Sequence, residues 1–170
     1  MLYVGAVLME KKLEIVLEAM ARLARNDAVL MIVGDGPHLP VLHAATIGRK
    51  DVVFTGQVIE GVGLYFDAAE VYVLPGTGGL GINEAMAHSL PIISGYADGS
   101  ADDLVVDGEN GYRLNEHTIA ELQDCIQRIL DNPAMAARMG EKSREWITGR
   151  FSFQRFLDRV EGRLVQQMGC

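Results

Sequence analysis

Cysteine is scarce in this chain of 170 residues. Only Cys125 and Cys170 are present, the first within a helical pattern and the second at the C-terminus. Small domains that depend on disulfides need several cysteines at close spacing, so the sequence argues against a disulfide framework. Apolar residues make up 49% of the chain, which is enough for one globular domain to bury a hydrophobic core.

Basic residues are also few. Fifteen Lys and Arg oppose 23 Asp and Glu, and the formal net charge is -8. Proteins that bind nucleic acid usually present a basic face, so we expect no nucleic-acid partner. No apolar run approaches the roughly 20 residues that cross a bilayer, and no basic stretch leads into an apolar segment with a cleavage site. We therefore expect a cytoplasmic protein without a transmembrane segment.

Short apolar runs recur along the first two-thirds of the chain, with helical patterns between them. Continuous runs, rather than alternating ones, are typical of strands buried on both faces of a parallel sheet. Repeated strand–helix units predict an α/β, Rossmann-like fold: a doubly wound parallel sheet of six strands with helices on both faces. The predicted strands are Leu2–Gly5, Ala28–Gly34, Asp51–Gly56, Val71–Pro75, Leu90–Gly95 and Gly111–Leu114.

Pro37 suits the first position of a short helix after the second strand. Leu39, Leu42 and Ile47 follow it and are predicted to form the buried face of that helix.

The C-terminal third is predicted to be helical. Thr118, with Glu121 three residues later, forms a capping box. Asn132 and Pro133 end this helix and start another, and Ser152 is predicted to cap a final helix. Because no long linker interrupts the pattern, the whole chain is predicted to be a single domain.

The segment Pro75–Ala87, PGTGGLGINEAMA, is the most informative for function. Glycines let the backbone approach a ligand closely, and the first N–H groups of the following helix suit a phosphate. Glu84 lies on that helix, near enough to accept hydrogen bonds from sugar hydroxyls. An ordinary strand-to-helix turn can carry the same residues, so the loop alone leaves both interpretations open. Its glycines are Gly76, Gly78, Gly79 and Gly81.

Several segments together resemble a known family. They are LYVG at Leu2–Gly5 followed by Glu10 and Lys11, IVGDGP at Ile32–Pro37, VVFTGQV at Val52–Val58, VYVLPG at Val71–Gly76, NEAMAHSLPII at Asn83–Ile93 and DDLVVDGENGYRL at Asp102–Leu114. Their order and spacing resemble the C-terminal, nucleotide-sugar-binding domain of the family 4 (group 1) retaining glycosyltransferases. That family has the GT-B fold, in which two Rossmann-like domains face a cleft. The resemblance runs nearly end to end.

The resemblance implies that residues 1–170 are the donor-binding half of a hexosyltransferase for polysaccharide or glycoconjugate biosynthesis. The full-length protein would transfer a hexosyl group from a nucleoside-diphosphate sugar to an acceptor. The chain opens directly into the strand Leu2–Gly5, so we expect an acceptor-binding domain upstream in the same protein, through which it could lie at a membrane. The resemblance implies no catalytic residue in this half, and we expect no metal or other cofactor.

The resemblance also implies roles for residues around the diphosphate and ribose. Lys11 corresponds to the family's diphosphate-binding lysine, whose ammonium offsets phosphate charge. The backbone N–H groups of Gly78, Gly79 and Leu80 would hold the distal phosphate and the sugar. Glu84 matches the second acid of the family's paired-glutamate motif and would bind both ribose hydroxyls. We expect Glu84 to lie in a buried loop-to-helix setting.

Base recognition is implied for a second group of residues. Gln57 and Val58 follow the third strand, where the family contacts the base. Gly36 belongs to the turn after the second strand, which lines the same cleft. Turn geometry alone accounts for this glycine equally well.

Two positions depart from the family pattern. The first acid of the paired motif, eight positions before Glu84, is replaced by Gly76, and the usual arginine after the first strand is Ala6. Loss of a charged hydrogen bond of about 1.5–3 kcal/mol would weaken donor binding by an order of magnitude unless another group substitutes. We expect a different set of donor contacts, because Lys11, Glu84 and the glycine loop occur together.

The histidines are not predicted to be catalytic. His88 lies one helical turn beyond Glu84, and we interpret it as a packed or capping residue. His38, His43 and His117 are dispersed without metal-ligand spacing, so no zinc site is predicted.

Other functions remain open from the sequence. Ala6 and Gly76 motivate a degenerate, non-catalytic nucleotide-sugar-binding module. A sugar-nucleotide epimerase with the same two-domain structure is a further alternative. A dinucleotide dehydrogenase is disfavoured because the sequence GAVLMEKK after the first strand lacks the G-x-G-x-x-G phosphate turn. A phosphoacceptor signalling domain is disfavoured because no pair of acidic residues follows that strand.

Overall fold

The computed structural model describes residues 1–23, 25–95, 103–149 and 157. Six strands form one parallel sheet in the order β3-β2-β1-β4-β5-β6, which is the Rossmann order. The strands are β1 Leu2–Val4, β2 Leu30–Val33, β3 Val52–Gly56, β4 Tyr72–Leu74, β5 Ile92–Ser94 and β6 Gly111–Arg113. The predicted fold class is confirmed.

Six α-helices accompany the sheet within the described ranges, and a short 3-10 turn, Met9–Lys11, follows β1. Helix α1 packs against α5 and helix α4 against α6. Right-handed crossovers place these two pairs on opposite faces of the sheet. The helices are α1 Leu13–Arg22, α2 Leu39–Ala45, α3 Gly63–Asp67, α4 Leu80–Ala87, α5 Ile119–Asp131 and α6 Pro133–Thr148.

The core lies between the sheet and the two helix layers. Strand β4 is buried along its whole length, and so is β5. This explains why both appear in the sequence as continuous apolar runs. Strand β3 lies at one edge of the sheet, and Val53 on it is 44% exposed.

The predicted N-caps of the C-terminal helices are confirmed, but the capping box is incomplete, because the Glu121 carboxylate accepts from the amides of residues 115–117 and not from that of Thr118. The Thr118 side chain accepts a hydrogen bond from the Glu121 amide (3.2 Å) at the start of α5. The Asn132 side chain accepts one from the Met135 amide (3.0 Å) at the start of α6, where Pro133 is the first residue. The predicted cap at Ser152 lies outside the described residues.

Helix α2 differs from its prediction in two ways. It begins at Leu39 rather than Pro37, because Gly36–His38 form a tight turn in which the Leu39 amide donates to the Gly36 carbonyl (3.0 Å). Ile47 lies beyond the end of the helix and is 85% exposed, so it is not part of the buried face. Leu42 alone is buried on this helix.

The chain changes direction between β1 and β4. The connection after β1 leads to β2 on one side, whereas the connection after β4 leads to β5 on the other. The loops at the carboxyl ends of these two strands therefore diverge and leave a crevice. This switch point is where open α/β sheets bind their ligands.

Candidate functional site

The loop after β1 lies directly against the turn after β2. The Val7 amide donates to the Asp35 carbonyl (2.9 Å), and the His38 amide donates to the Val7 carbonyl (3.1 Å). A Cβ atom at Gly36 would overlap the Val7 carbonyl, and one at Gly34 would overlap the Gly5 carbonyl. Both glycines are therefore required by backbone packing, whatever contact Gly36 makes with a ligand.

A side-chain pair links the turn after β2 to the helix that follows the β1 loop. His38 bonds through Nε2 to a carboxylate oxygen of Glu14, on the first turn of α1. This pair accounts for His38 in structural terms.

The glycine loop after β4 approaches the same β1 loop from the other side. The Thr77 amide donates to the Glu10 carbonyl (3.1 Å), and Nζ of Lys11 donates to the Thr77 carbonyl (2.6 Å). A Cβ atom at Gly78 would lie 3.0 Å from the Lys11 ammonium nitrogen. Lys11 is half-buried and is not the solvated lysine that a helix start usually carries. The predicted lysine and the predicted glycine loop are thus in contact.

Gly76 is buried where this loop touches the Met9–Lys11 turn. A Cβ atom at Gly76 would overlap the Glu10 carbonyl and lie 2.5 Å from Cα of Lys11. Two stretches of backbone therefore meet at this position. An acid like the family's first glutamate has no room there.

Helix α4 opens its first turn at the end of the glycine loop. Its first internal hydrogen bonds run from the amides of Ile82 (3.0 Å) and Asn83 (3.3 Å) to the Gly79 carbonyl. The N–H groups of Leu80 and Gly81 precede these bonds and have no carbonyl four residues back within the helix. The Leu80 side chain is 87% exposed. This end of the helix provides amides and a positive dipole beside Lys11.

Glu84 is exposed, which corrects the expectation of a buried setting. Helix α4 turns Ile82, Ala85 and Met86 inward, and the helical phase then places Glu84 outward. The Glu84 carboxylate is close enough to the Tyr72 hydroxyl to contribute, after burial and Tyr3, to a raised Tyr72 pKa. Glu84 thus remains over the same part of the sheet, on the solvent side.

A cleft of about 570 Å³ opens at the carboxyl ends of β1, β2 and β3. Gln57, Val58 and Gly36 line it together with Ala6 and Asp35. The predicted site residues therefore form two neighbouring groups, one in this cleft and one at the glycine loop. The β1 loop joins them, because Ala6 lines the cleft and Lys11 contacts the glycine loop.

Sequence reasoning missed residues that hold the β1 loop in place. The Tyr3 hydroxyl donates to the Ala6 carbonyl (2.7 Å), and the Tyr72 hydroxyl donates to the Val4 carbonyl (3.1 Å). The available signal was a tyrosine in each of two otherwise aliphatic strands. Gly81 inside the first turn of α4 was a further signal, because a Cβ atom there would overlap the Tyr72 hydroxyl.

His88 is packed and paired, as expected. It follows the last residue of α4, and its Nδ1 lies 2.6 Å from a carboxylate oxygen of Asp67. Its ring stacks on Phe66 with centroids 5.3 Å apart. The described part of the chain contains no group of three or more His, Cys, Asp or Glu that could hold a metal ion.

None of the helices within the described ranges has the length and apolar character to cross a membrane.

Known proteins similar to this chain are glycosyltransferases. A 31% identical relative, the alpha-D-kanosaminyltransferase of Streptomyces kanamyceticus, aligns over 95% of this chain and 44% of its own length. A GDP-mannose-dependent alpha-(1-6)-phosphatidylinositol monomannoside mannosyltransferase of Mycobacterium tuberculosis is 33% identical over 74% of this chain and 36% of its own. The chain thus spans less than half the length of these relatives.

A solved structure of similar fold is Anabaena Alr3699/HepE in complex with UDP. It superposes with a TM-score of 0.84 at 21% identity, over 96% of this chain and 48% of that one. The profile of the family described as "Glycosyl transferases group 1" matches residues 1–132. With most of its length matched by that profile, the chain belongs to the group 1 glycosyltransferases.

Proposed function

We propose that this domain binds the diphosphate of a nucleoside-diphosphate sugar between Lys11 and the start of α4. The contact between the Lys11 ammonium and the Thr77 carbonyl (2.6 Å) carries the proposal, because it fixes a positive charge beside the amides of Gly78, Gly79 and Leu80. An ammonium has three protons, and Thr77 takes one of them. The others and the helix amides can donate to phosphate oxygens.

The other predicted site residues suit the nucleoside, some of them the base and one the ribose. Gly36, Gln57 and Val58 line the cleft beside the β1 loop, which is open enough for a base. Val58 offers apolar surface and Gln57 an amide that can both donate and accept. Glu84, exposed on α4, would accept hydrogen bonds from both ribose hydroxyls.

The departures from the family pattern indicate which donor contacts differ. Ala6 lines the open cleft, so loss of the arginine there removes a charge without closing the site. Gly76 is packed against the backbone of Glu10 and Lys11, so the transferred sugar would be held by backbone amides in place of the first acid. This arrangement favours altered donor contacts over a degenerate module.

The full-length protein would be a retaining hexosyltransferase. Lys11 and the α4 amides would stabilise the negative charge that develops on the departing diphosphate. An upstream domain would bind the acceptor. The relatives are more than twice as long as the region they share with this chain, which leaves room for such a domain. Met9 (73% exposed) and Leu80 (87% exposed) lie at the edge that such a domain would cover.

The same proposal bears on the need for a cofactor and on the cellular location. The ammonium and the helix amides would balance the diphosphate charge without a metal ion, so we expect no cofactor. We propose a cytoplasmic role in polysaccharide or glycoconjugate biosynthesis, with membrane contact made through the upstream domain. The relatives use different sugars, among them kanosamine and mannose by their names, so donor identity must be measured.

Calorimetry with uridine, guanosine and adenosine diphosphate on this chain tests the proposal. At least one should bind, and Lys11→Met should weaken that binding by about tenfold or more, the loss of one charged hydrogen bond. Lys50→Met is the matched control. Lys50 is exposed and precedes the amino end of β3, whereas the proposed site lies at the carboxyl ends of the strands. A folded sample that binds none of the three nucleotides would refute the proposal.

A further inference from the structure

Two buried tyrosines hold the backbone of residues 4–6. The Tyr72 hydroxyl donates to the Val4 carbonyl (3.1 Å), and the Tyr3 hydroxyl donates to the Ala6 carbonyl (2.7 Å). Both tyrosines are 1% exposed. Each ring thus places its single polar group on the start of the β1 loop.

The two rings reach this segment from opposite faces of the sheet. Leu2 is in register with Tyr72, so these two side chains share one face, and Tyr3, the next residue along β1, points to the other. On its own face Tyr72 stacks on Phe66 of α3, with ring centroids 6.1 Å apart. The end of β1 and the loop that follows it are therefore bound from opposite faces of the sheet.

The Tyr72 hydroxyl also contacts the start of α4. A Cβ atom at Gly81 would overlap the hydroxyl oxygen and would lie 3.0 Å from the Val4 carbonyl oxygen. Only a glycine lets the first turn of α4 come this close to β1. One hydroxyl group therefore lies where the β1 loop meets the first turn of α4, the two elements on either side of the proposed diphosphate site.

Carbonyl oxygens repel an anion, so their direction matters beside a diphosphate. The hydroxyls of Tyr72 and Tyr3 keep the carbonyls of Val4 and Ala6 directed into the protein. Burial raises the pKa of both tyrosines, and the hydroxyls remain protonated donors throughout the neutral range. Without these donors the peptide groups of residues 4–6 could turn a carbonyl toward the site.

We propose that Tyr3 and Tyr72 are positioning residues for the donor diphosphate, acting through the backbone of the β1 loop. This role rests on the proposed function. Val4 and Ala6 also line the cleft proposed for the base, but a carbonyl turned toward the site repels an anion and not a neutral nucleoside, so the role concerns the phosphates. A purely structural role would affect all ligands, and the stability of the fold, alike.

The test compares each nucleoside diphosphate of the uridine, guanosine and adenosine series with its own nucleoside, by calorimetry and by competition. The variant that carries both Tyr3→Phe and Tyr72→Phe should lose about tenfold or more in diphosphate affinity. Its nucleoside affinity should change by less than about twofold. Phe66→Leu is the control, because it disturbs packing against Tyr72 without removing a hydroxyl, and it should leave both affinities unchanged.

The outcomes separate the two proposals. If the unmodified chain binds no diphosphate, the proposed function fails and this role fails with it. If it binds and the double variant binds equally well, or loses nucleoside and diphosphate affinity to the same extent, the positioning role alone is overturned. Should the double variant not fold, Tyr3→Phe by itself gives the same comparison, because its hydroxyl bonds to the Ala6 carbonyl alone.

Discussion

Nζ of Lys11 donates a hydrogen bond to the backbone carbonyl of Thr77, 66 residues further along the chain, at 2.6 Å. The bond joins the loops that follow β1 and β4, the two strands at which the sheet changes direction. The acceptor in this bond is a neutral carbonyl and not a carboxylate. The cation is therefore held in place by the loop that begins the proposed phosphate site.

Introducing the two family residues should affect stability very differently. Ala6→Arg adds an exposed side chain to an open cleft and should change the free energy of unfolding by less than about 0.5 kcal/mol. Gly76→Glu forces a side chain into the backbone of Glu10 and should lower it by about 1–3 kcal/mol or more. Urea denaturation of both variants measures the difference.

The same pair also tests the donor contacts. Ala6→Arg should strengthen nucleoside diphosphate binding, whereas Gly76→Glu should not. Tighter binding by a stable Gly76→Glu protein would show that the two backbones separate easily, contrary to the packing described here.

Glu84→Gln should weaken binding of ribonucleotides selectively. A carboxylate that accepts from both ribose hydroxyls contributes about 1.5–3 kcal/mol, and the amide would retain part of this. The affinity ratio between a nucleoside diphosphate and its 2′-deoxy counterpart should therefore fall. Glu84 is exposed, so the melting temperature should hardly move.

Glu141→Gln, on the exposed surface of α6, is the matched charge control. An unchanged ribose-to-deoxyribose ratio in Glu84→Gln would remove Glu84 from the ribose site.

The six strands and their parallel arrangement could be anticipated, because parallel strands buried on both faces leave continuous apolar runs in the sequence. The residues at which each strand ends could not be anticipated. The strand predicted as Ala28–Gly34 runs only from Leu30 to Val33. Val29 is 42% exposed, and its carbonyl accepts a hydrogen bond from the Met1 amino group (2.8 Å). Hydrophobicity marks a strand, but pairing with neighbours decides where it ends.

The site could be anticipated as a set of residues, but not as a packing arrangement. Glycines signalled close approach without indicating what approaches, and at Gly76 it is the backbone of Glu10. Whether Glu84 faced inward depended on the phase of a short helix that begins after an irregular loop. The two tyrosines stand out in otherwise aliphatic strands, but their hydroxyl partners could not be anticipated, because they are main-chain carbonyls, which no residue type reveals.

Thr118→Ala should destabilise the protein by about 1 kcal/mol, the usual contribution of an N-cap. The Thr118 side chain accepts from the Glu121 amide, and the Glu121 carboxylate accepts from the amides of Asn115, Glu116 and His117. Thr118→Ser keeps the oxygen and should cost far less. Thermal denaturation of the two variants distinguishes a cap from a packing effect, since equal losses would implicate the Thr118 methyl group.

Alkaline pH should destabilise the domain through a buried thiol. Burial, followed by the charges of Glu121 and Asp124, raises the pKa of Cys125 to about 11 from an ordinary value of 9.0. The unfolded chain releases this proton first, so the stabilisation is complete below pH 9 and is lost as the pH rises toward 11. Tyr3 and Tyr72, whose pKa values are also raised, add to the loss only above their ordinary value of 10.0.

The interval between pH 9 and 10 therefore isolates the thiol. Cys125→Ala should lower stability at pH 7, because it removes buried volume, yet flatten the dependence of the free energy of unfolding on pH across this interval. Urea denaturation at half-unit steps of pH measures both quantities in one series. An equally steep decline in Cys125→Ala would assign the alkaline sensitivity to other groups and show that the Cys125 thiol ionises as readily in the folded protein as in the unfolded chain.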